Sequence, residues 1–148
     1  MKNRDIGKQL ATLNHAIKNS VERETQCDLM KISMSNGYIL FFLHENRDRD
    51  VFQKDFEDAF GITRSTASKV CSLMETKGLI ERKPVSGDAR LKKIILTDRG
   101  ETMRREMIAG RKRMEKKLTA GFTAEELETL HGYLQRMKAV SYTHLTLP

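Results

Sequence analysis

The sequence has no long hydrophobic run: nowhere among its 148 residues do 18 apolar residues follow one another. A helix needs about 20 such residues to cross a bilayer, so we expect no membrane span. The first ten residues, MKNRDIGKQL, also lack the apolar stretch of a secretory signal. Both absences point to a small cytoplasmic protein with a modest core.

Cysteine is scarce, and the two that occur, Cys27 and Cys71, belong to no CxxC or Cys/His cluster. Structural metal sites need ligands at such short spacings. The histidines show no ligand spacing either, so we expect neither a metal site nor zinc sensing; they are His15, His44, His131 and His144. In a reducing compartment both thiols should stay unpaired, and Cys71, on the inner face of a predicted helix, should be inert.

Motifs of catalysis are missing as well. The chain contains no nucleophile paired with a base, no glycine-rich phosphate loop and no HExxH pair. We therefore expect neither an enzyme nor a bound cofactor.

Positive charge is present in excess, and it is unevenly distributed. The formal net charge is +7, and residues 64–93 hold 8 basic against 3 acidic side chains, whereas residues 1–62 hold 9 against 10. Such a local excess suits contacts with the phosphates of a nucleic acid. A solvated charged surface is the alternative that charge alone leaves open.

The spacing of apolar residues predicts a mainly helical chain. The first helix has one apolar stripe, formed by Ile6, Leu10, Leu13 and Ile17. Residues 38–43 are the most apolar segment and predict a buried second helix, which Ser33 or Ser35 could cap. A third helix should start with a capping box at Asp50 and Gln53 and end at Gly61.

Residues 63–97 predict a fourth helix followed by a hairpin. Thr63 suits the N-cap and Gly78 the C-terminal end of this helix, whose inner face would be Ala67, Val70, Cys71 and Met74. A strand containing Pro84, a turn at 86–88 and a return strand at 91–96 follow. A long helix should start at Thr97, and a capping box at 123–126 should open the last one.

Small polar and basic side chains cluster at the start of the fourth helix. Such residues suit base edges and phosphates when the beginning of a recognition helix enters the major groove of DNA. They are Arg64, Ser65, Thr66, Ser68 and Lys69. An ordinary amphipathic helix is the alternative that this helix alone leaves open.

The hairpin carries Arg90 near its tip, with Asp88 two residues before it. An arginine at a tip can enter a narrow minor groove, and the carboxylate could hold its guanidinium group. Arg82 and Lys92, on the two strands, are further candidates for DNA contacts. An exposed turn pair of little energetic value is the alternative.

Residues 50–100 resemble the winged helix-turn-helix of the MarR family of bacterial transcriptional regulators. The resemblance rests on the run ITRSTASKVCSLMETKGLIER, on the D-x-R wing signature at Asp88 and Arg90, and on the L-T-x-x-G helix start at 96–100. Two positions depart from the family pattern: Phe52 stands where a capping Ser or Thr is common, and Glu57 where a small residue is usual.

The resemblance implies a mainly α fold with a small β-hairpin wing, in which the fourth helix lies in the major groove and Arg90 in the minor groove. It divides the chain into an N-terminal dimerisation helix (1–32), a DNA-binding domain (33–97) and C-terminal dimerisation helices (98–139). The implied protein is a homodimer that represses transcription from a palindromic operator in double-stranded DNA.

Release by a small aromatic or anionic effector is also implied. Candidate pocket residues are Tyr38, Phe41, Phe42, His44 and Met103, although an aromatic stripe is also typical of a core. Other functions stay open: an architectural DNA-binding protein without effector, an oxidant sensor that uses Cys27, or a sensing module with a protein partner. The uncharged ending, residues 140–148, is typical of a truncated or read-through frame; we expect it to be unstructured and assign it no function.

Overall fold

The computed structural model describes residues 5–24 and 36–145, and these form six helices and one two-stranded antiparallel hairpin. The predicted mainly α fold with a hairpin wing is confirmed. Contacts divide the chain into two units, residues 1–111 and 112–148. The elements are α1 (Ile6–Glu24), α2 (Tyr38–Glu45), α3 (Gln53–Phe60), α4 (Arg64–Thr76), β1 (Ile80–Val85), β2 (Asp88–Leu96), α5 (Asp98–Thr119) and α6 (Ala124–Leu145).

The turn between α3 and α4 forms as the sequence predicts. Gly61 ends α3 with φ of +60°, a conformation that glycine adopts without steric cost. Thr63 then caps α4, because its hydroxyl oxygen accepts a hydrogen bond from the Thr66 N–H at 3.2 Å. The two helices and this short turn make the helix-turn-helix.

The start of α3 differs from the prediction. The capping box predicted at Asp50 and Gln53 is wrong, since the residue before the helix is Phe52, which has no side-chain acceptor. The Asp55 carboxylate instead accepts a hydrogen bond from the Phe52 N–H at 2.8 Å. The Asp50 carboxylate instead forms an ion pair with the Lys93 ammonium group, at 3.2 Å.

The inner face of α4 packs into the main core, as predicted. Ala67, Cys71 and Met74 are fully buried there. Side chains from α2, α3, both strands and α5 complete the core, among them Ile39, Leu40, Leu43, Phe56, Leu79, Ile80, Ile94 and Met103. Because this face is fixed in the core, the opposite face of α4 must point to solvent.

The hairpin is longer than predicted, since β2 begins at Asp88 and not at 91. Ile80 pairs with Leu96 at its base and Val85 with Asp88 at its tip, with an irregularity after Pro84. Backbone pairing at the base also reaches the segment before α3, where the Ile94 N–H donates to the Val51 carbonyl at 2.7 Å. The base of the wing is therefore bound to two neighbouring segments.

The last helix opens with the predicted capping box. The Thr123 N–H donates to the Glu126 carboxylate at 2.8 Å, and the Glu126 N–H donates to the Thr123 hydroxyl at 3.2 Å. We expected residues 140–148 to lack structure. This is wrong for residues 140–145, because α6 continues to Leu145. No proline or glycine interrupts the chain between Gly132 and Pro148, so the helix can propagate. Residues 146–148, like Ser33 and Ser35, lie outside the described residues.

Gly100 lies where α5 crosses the start of β1. A Cβ atom at this position would stand 2.1 Å from the Leu79 carbonyl oxygen and 2.6 Å from a Leu96 methyl carbon. The same turn is fixed by Thr97, whose hydroxyl accepts from the Gly100 N–H at 3.0 Å and donates to the Gly78 carbonyl at 2.6 Å. Only glycine allows this close approach.

We expect Gly100→Ala to lower the free energy of unfolding by about 1–3 kcal/mol, because the added methyl group must displace backbone atoms. Urea denaturation measures the loss. The matched control is Gly132→Ala, since a Cβ on Gly132 meets nothing within 4 Å, and alanine in an exposed helix stabilises by about 0.5–1 kcal/mol. Equal effects of the two substitutions would contradict the close approach at Gly100.

Glu101, one residue further, joins α5 to the end of α2. Its carboxylate accepts hydrogen bonds from the Arg104 guanidinium at 2.7 and 3.0 Å and lies 3.0 Å from His44 Nδ1. Arg104 first, and His44 second, hold the pKa of Glu101 at about 2, well below its ordinary value of 4.5. The ionised carboxylate therefore stabilises the fold.

Because the folded protein lowers this pKa, the stabilisation is present above about pH 4.5 and is lost as the pH falls towards about 2. We expect Glu101→Gln to destabilise the protein at pH 7 and to differ progressively less from the unsubstituted protein below pH 4.5. Urea denaturation at a series of pH values tests this. Glu106→Gln, which removes the same charge from an exposed position of α5, is the control; a difference for Glu101→Gln that stays constant with pH would exclude the ionic role.

Candidate nucleic-acid interface

The five residues predicted at the start of the recognition helix share one exposed surface. They are Arg64, Ser65, Thr66, Ser68 and Lys69, and all are exposed, whereas Ala67 among them and Val70 after them are buried. One hydroxyl is partly engaged within the protein, because the Thr63 hydroxyl donates to the Thr66 hydroxyl at 3.0 Å. The first turn is also held from α3, since the Gln53 side-chain amide donates to the Arg64 carbonyl at 3.4 Å.

The wing residues are placed on the solvent side of β2. Asp88, Arg90 and Lys92 are all exposed. The Asp88 carboxylate accepts a hydrogen bond from the backbone N–H of Arg90 at 2.8 Å, not from the guanidinium group as we expected. A short side chain at the first position of the strand reaches the nearby main chain more easily than the end of an arginine. Asp88 therefore fixes the backbone of the wing and leaves the Arg90 guanidinium exposed.

A basic groove joins the start of α4 to the wing. This cavity, of about 350 Å³, lies between α3, the first turn of α4 and both strands. Five cationic side chains line it together with Glu57: Lys54, Arg64, Arg82, Arg90 and Lys92. The structure thus brings together four residues that the sequence singled out one by one, and it adds Lys54 from α3.

Arg82 has a protein partner that the sequence did not predict. Its Nε and Nη2 atoms donate to one oxygen of the Glu75 carboxylate, at 2.9 and 2.5 Å. The hydrogen bond from Arg82 lowers the pKa of Glu75, so the pair is ionised at neutral pH. Glu75 was missed because nothing local marks it: its partner belongs to the next element of the chain, and only the direction of the hairpin brings the two together.

The five candidate effector residues do not share one cavity. Met103 belongs to the core, and His44 borders a cavity of about 530 Å³ between the segment 46–51, β2 and the start of α5. Tyr38, Phe41 and Phe42 line a different cavity, of about 420 Å³, together with Phe60, Met107 and Arg111.

The second of these cavities has aromatic walls and a cationic edge. The Tyr38 and Phe60 rings meet edge to face, with their centroids 4.4 Å apart. The guanidinium carbons of Arg104 and Arg111 lie 5.9 and 5.7 Å from the centroid of the Phe41 ring. Cations at this distance interact with an aromatic face, so the cavity offers aromatic and cationic groups, and Glu45 adds a carboxylate to its lining.

Of the two cysteines, Cys71 lies among the described residues. Cys71 is fully buried under α4, and this burial raises the pKa of its thiol to about 11. A thiol that stays protonated is a poor nucleophile, which makes Cys71 inert towards oxidants and metals at neutral pH. Cys27, the candidate oxidant sensor, lies outside the described residues.

The described residues contain neither a metal-binding cluster nor a membrane-spanning helix. In residues 5–24 and 36–145, no three His, Cys, Asp or Glu side chains are grouped so that they could hold a metal ion. None of the helices described has the length and the apolar character that a membrane span requires.

Comparison with known proteins agrees with this geometry. The model of the MarR family matches residues 32–91, from before α2 into the wing. Among curated proteins, the HTH-type transcriptional regulator YybA of Bacillus subtilis (strain 168) is 24% identical over 126 residues, which cover 82% of this chain and 81% of that protein.

Solved structures share the fold over almost the whole chain. The heme sensor protein PefR from Streptococcus agalactiae in complex with heme superposes with a TM-score of 0.73 and 25% identity, covering 93% of this chain and 92% of PefR. The MepR–DNA complex of S. aureus gives 0.71 and 23%, covering 93% and 99%. The regulator MarR from Oenococcus oeni PSU-1 gives 0.55 and 26%, covering 91% and 99%. Residues 32–91 thus match the MarR family of transcriptional regulators, and the chain shares the winged helix-turn-helix fold of these solved structures.

Proposed function

We propose that this regulator is a cytoplasmic homodimeric repressor that binds a palindromic DNA operator and is released by a small-molecule effector. In each protomer, α4 lies in the major groove and Arg90 in the adjacent minor groove. The observation that carries the proposal is the basic groove, because it places cations of the reading helix and of the wing on one concave surface.

The chemistry of the exposed residues supports sequence-specific reading. Arg64 and Lys69 can donate to guanine, and the hydroxyls of Ser65, Thr66 and Ser68 can bind bases or phosphates. Arg90 has a free approach to a minor groove, where a narrow A·T-rich stretch concentrates negative potential. Lys92 lines the same groove and would contact the DNA backbone.

Exposed apolar side chains support a dimer. In the first unit, the α1 stripe shows Ile6, Leu10 and Leu13 with 52%, 40% and 49% of their surface exposed. The second unit also exposes large apolar residues, and these are Leu118, Phe122, Leu130, Tyr133, Leu134, Met137 and Val140. Apolar surface of this extent is typical of a protein interface, and a two-fold dimer would present two reading helices to the two halves of a palindrome.

The cavity lined by Tyr38, Phe41 and Phe42 supports an effector. Its aromatic walls and the nearby Arg104 and Arg111 suit a small aromatic or anionic molecule. PefR, which shares the fold, is a heme sensor. Binding would release the operator if the effector prefers an arrangement in which the two reading helices no longer match the spacing of the half-sites.

We expect Arg90→Ala to weaken binding to a DNA duplex selected from a random library by the unsubstituted protein. The loss should be about 1–3 kcal/mol. The slope of the logarithm of the binding constant against the logarithm of the salt concentration should fall by about one, because one cation leaves the phosphate-rich interface. Fluorescence anisotropy over a series of salt concentrations measures both. Lys83→Ala removes the same charge from an exposed position of the hairpin outside the groove and should have a small effect. Unchanged affinity and salt dependence for Arg90→Ala would refute the wing assignment.

Arg64→Ala and Lys69→Ala should relax the base preference at individual positions of the selected duplex, because a side chain bound to a base edge is worth about 1–3 kcal/mol of discrimination. Binding to a panel of single-base variants of the duplex tests this. Lys77→Ala, at the opposite end of the helix, serves as the control. If each substitution weakens binding to all duplexes equally, the two residues contact phosphates only. If the unsubstituted protein enriches no sequence, it is an architectural DNA-binding protein.

A further inference from the structure

The ion pair between Glu75 and Arg82 connects two elements that the proposed function places on DNA. Glu75 lies in the last turn of α4 and Arg82 on β1, so the pair joins the reading helix to the wing. Among the ion pairs of the described residues, it is the one that makes this connection. Two nitrogen atoms of the guanidinium group donate to the same oxygen of the carboxylate, so the edge of the guanidinium group faces Glu75.

Glu75 is an unexpected residue on this surface. A carboxylate beside the basic groove repels the phosphates of DNA, and Lys92 is close enough to contribute to the lowered pKa of Glu75. Its hydrogen-bonded partner in the groove is Arg82, so a favourable effect of Glu75 on DNA binding would act through that side chain. Arg82 in turn lines the groove with Arg90 and Lys92, but the two donor groups that face Glu75 are occupied by the carboxylate.

The rest of the hairpin is tied to other elements. The Ile94 N–H donates to the Val51 carbonyl at 2.7 Å, and Lys93 pairs with Asp50 at 3.2 Å. These contacts connect β2 to the segment before α3. Glu75 and Arg82 make the corresponding connection between β1 and α4, so the wing is held from both sides.

We propose that Glu75 and Arg82 are positioning residues, which set the angle between α4 and the hairpin so that the reading helix and Arg90 engage adjacent grooves together. Arg82 thus acts through Glu75, and not as one more phosphate contact. This inference rests on the proposed function, in which α4 and the wing bind DNA at the same time. It leads to a result that simple electrostatics would not: removing a negative charge from the DNA-binding face lowers the specific affinity.

A double-mutant cycle tests the proposal. Glu75→Gln, Arg82→Gln and the double variant are titrated by anisotropy with the selected duplex and with a random-sequence duplex of the same length. We expect each single variant to lose about tenfold in affinity for the selected duplex, and the double variant to lose no more than either single one, because both disable the same contact. The affinity of Glu75→Gln for the random duplex should be equal or higher, since repulsion is removed.

A conservative variant separates geometry from charge. Arg82→Lys keeps the cation but cannot place two donors on the carboxylate in the fork of a guanidinium group. We expect it to bind the selected duplex as weakly as Arg82→Gln. Glu81→Gln is the matched control for Glu75→Gln, because it removes an exposed carboxylate of β1 that pairs with Lys83 at 3.4 Å, and it should keep the specific affinity. Circular dichroism and retained binding to the random duplex show that the variants are folded.

The opposite pattern would overturn the inference. If Glu75→Gln tightens binding to both duplexes, Arg82→Gln weakens both, and the two effects add, then Arg82 contacts phosphate and Glu75 is merely repulsive. Full affinity of Arg82→Lys would also overturn it. A result for Arg90→Ala keeps the two proposals apart: if that variant loses specific affinity and Glu75→Gln does not, only the positioning role fails; if neither loses affinity, the placement of the wing on DNA fails.

Discussion

The geometry of the DNA-binding region depends on the junction at Gly78 and Leu79. Gly78 leaves α4 with φ of +72°, and the Leu79 N–H donates back to the Met74 carbonyl at 3.0 Å. The carbonyls of Gly78 and Leu79 then accept from the hydroxyl and the N–H of Thr97, at 2.6 and 3.2 Å. The end of α4, the start of β1 and the start of α5 are thereby hydrogen-bonded at one point. A change in the direction of α5 at this point would therefore displace both the reading helix and the wing.

Carboxylates on the DNA-binding side are turned towards protein partners. Asp88 binds the backbone of Arg90, Glu75 binds Arg82, and Glu57 lies 3.2 Å from the Gln53 amide and 3.8 Å from the Lys54 ammonium group. Asp88 and Glu57 thus bind partners on their own strand and helix, Glu75 joins α4 to β1, and Arg64 and Lys69 remain exposed. Such an arrangement keeps the surface potential positive and also defines the position of the cations, which a surface of lysines and arginines alone could not do.

Local patterns predicted what depends on neighbours in sequence, and failed where the partner is distant. The Thr63 cap, the buried face of α4 and the box at Thr123 and Glu126 each involve residues within one or two helical turns, so spacing reveals them. Asp50 was assigned to the wrong partner because Lys93 lies 43 residues away. For the same reason the spacing of the effector candidates could not show that they lie at different sites. Which of them face the core, the aromatic cavity or Glu101 depends on how α2 packs against α5.

The placement of α2 gives a physical route from the proposed effector cavity to the DNA-binding surface. One side of α2 carries Phe41 and Phe42 into that cavity, while its end is joined to α5 through His44 and Glu101. Glu101 lies on the first turn of α5, and its N–H donates to the Thr97 carbonyl at 2.9 Å, so it is part of the same turn that binds Gly78 and Leu79. A ligand that displaces α2 would therefore act on the junction of helix and wing. How strongly it acts is limited by its difference in affinity for the two arrangements; a change from 1:99 to 99:1 needs about 5.5 kcal/mol. Because the ion pair between Glu75 and Arg82 holds α4 and β1 together, such a change would move the reading helix and the wing together and so affect both DNA contacts.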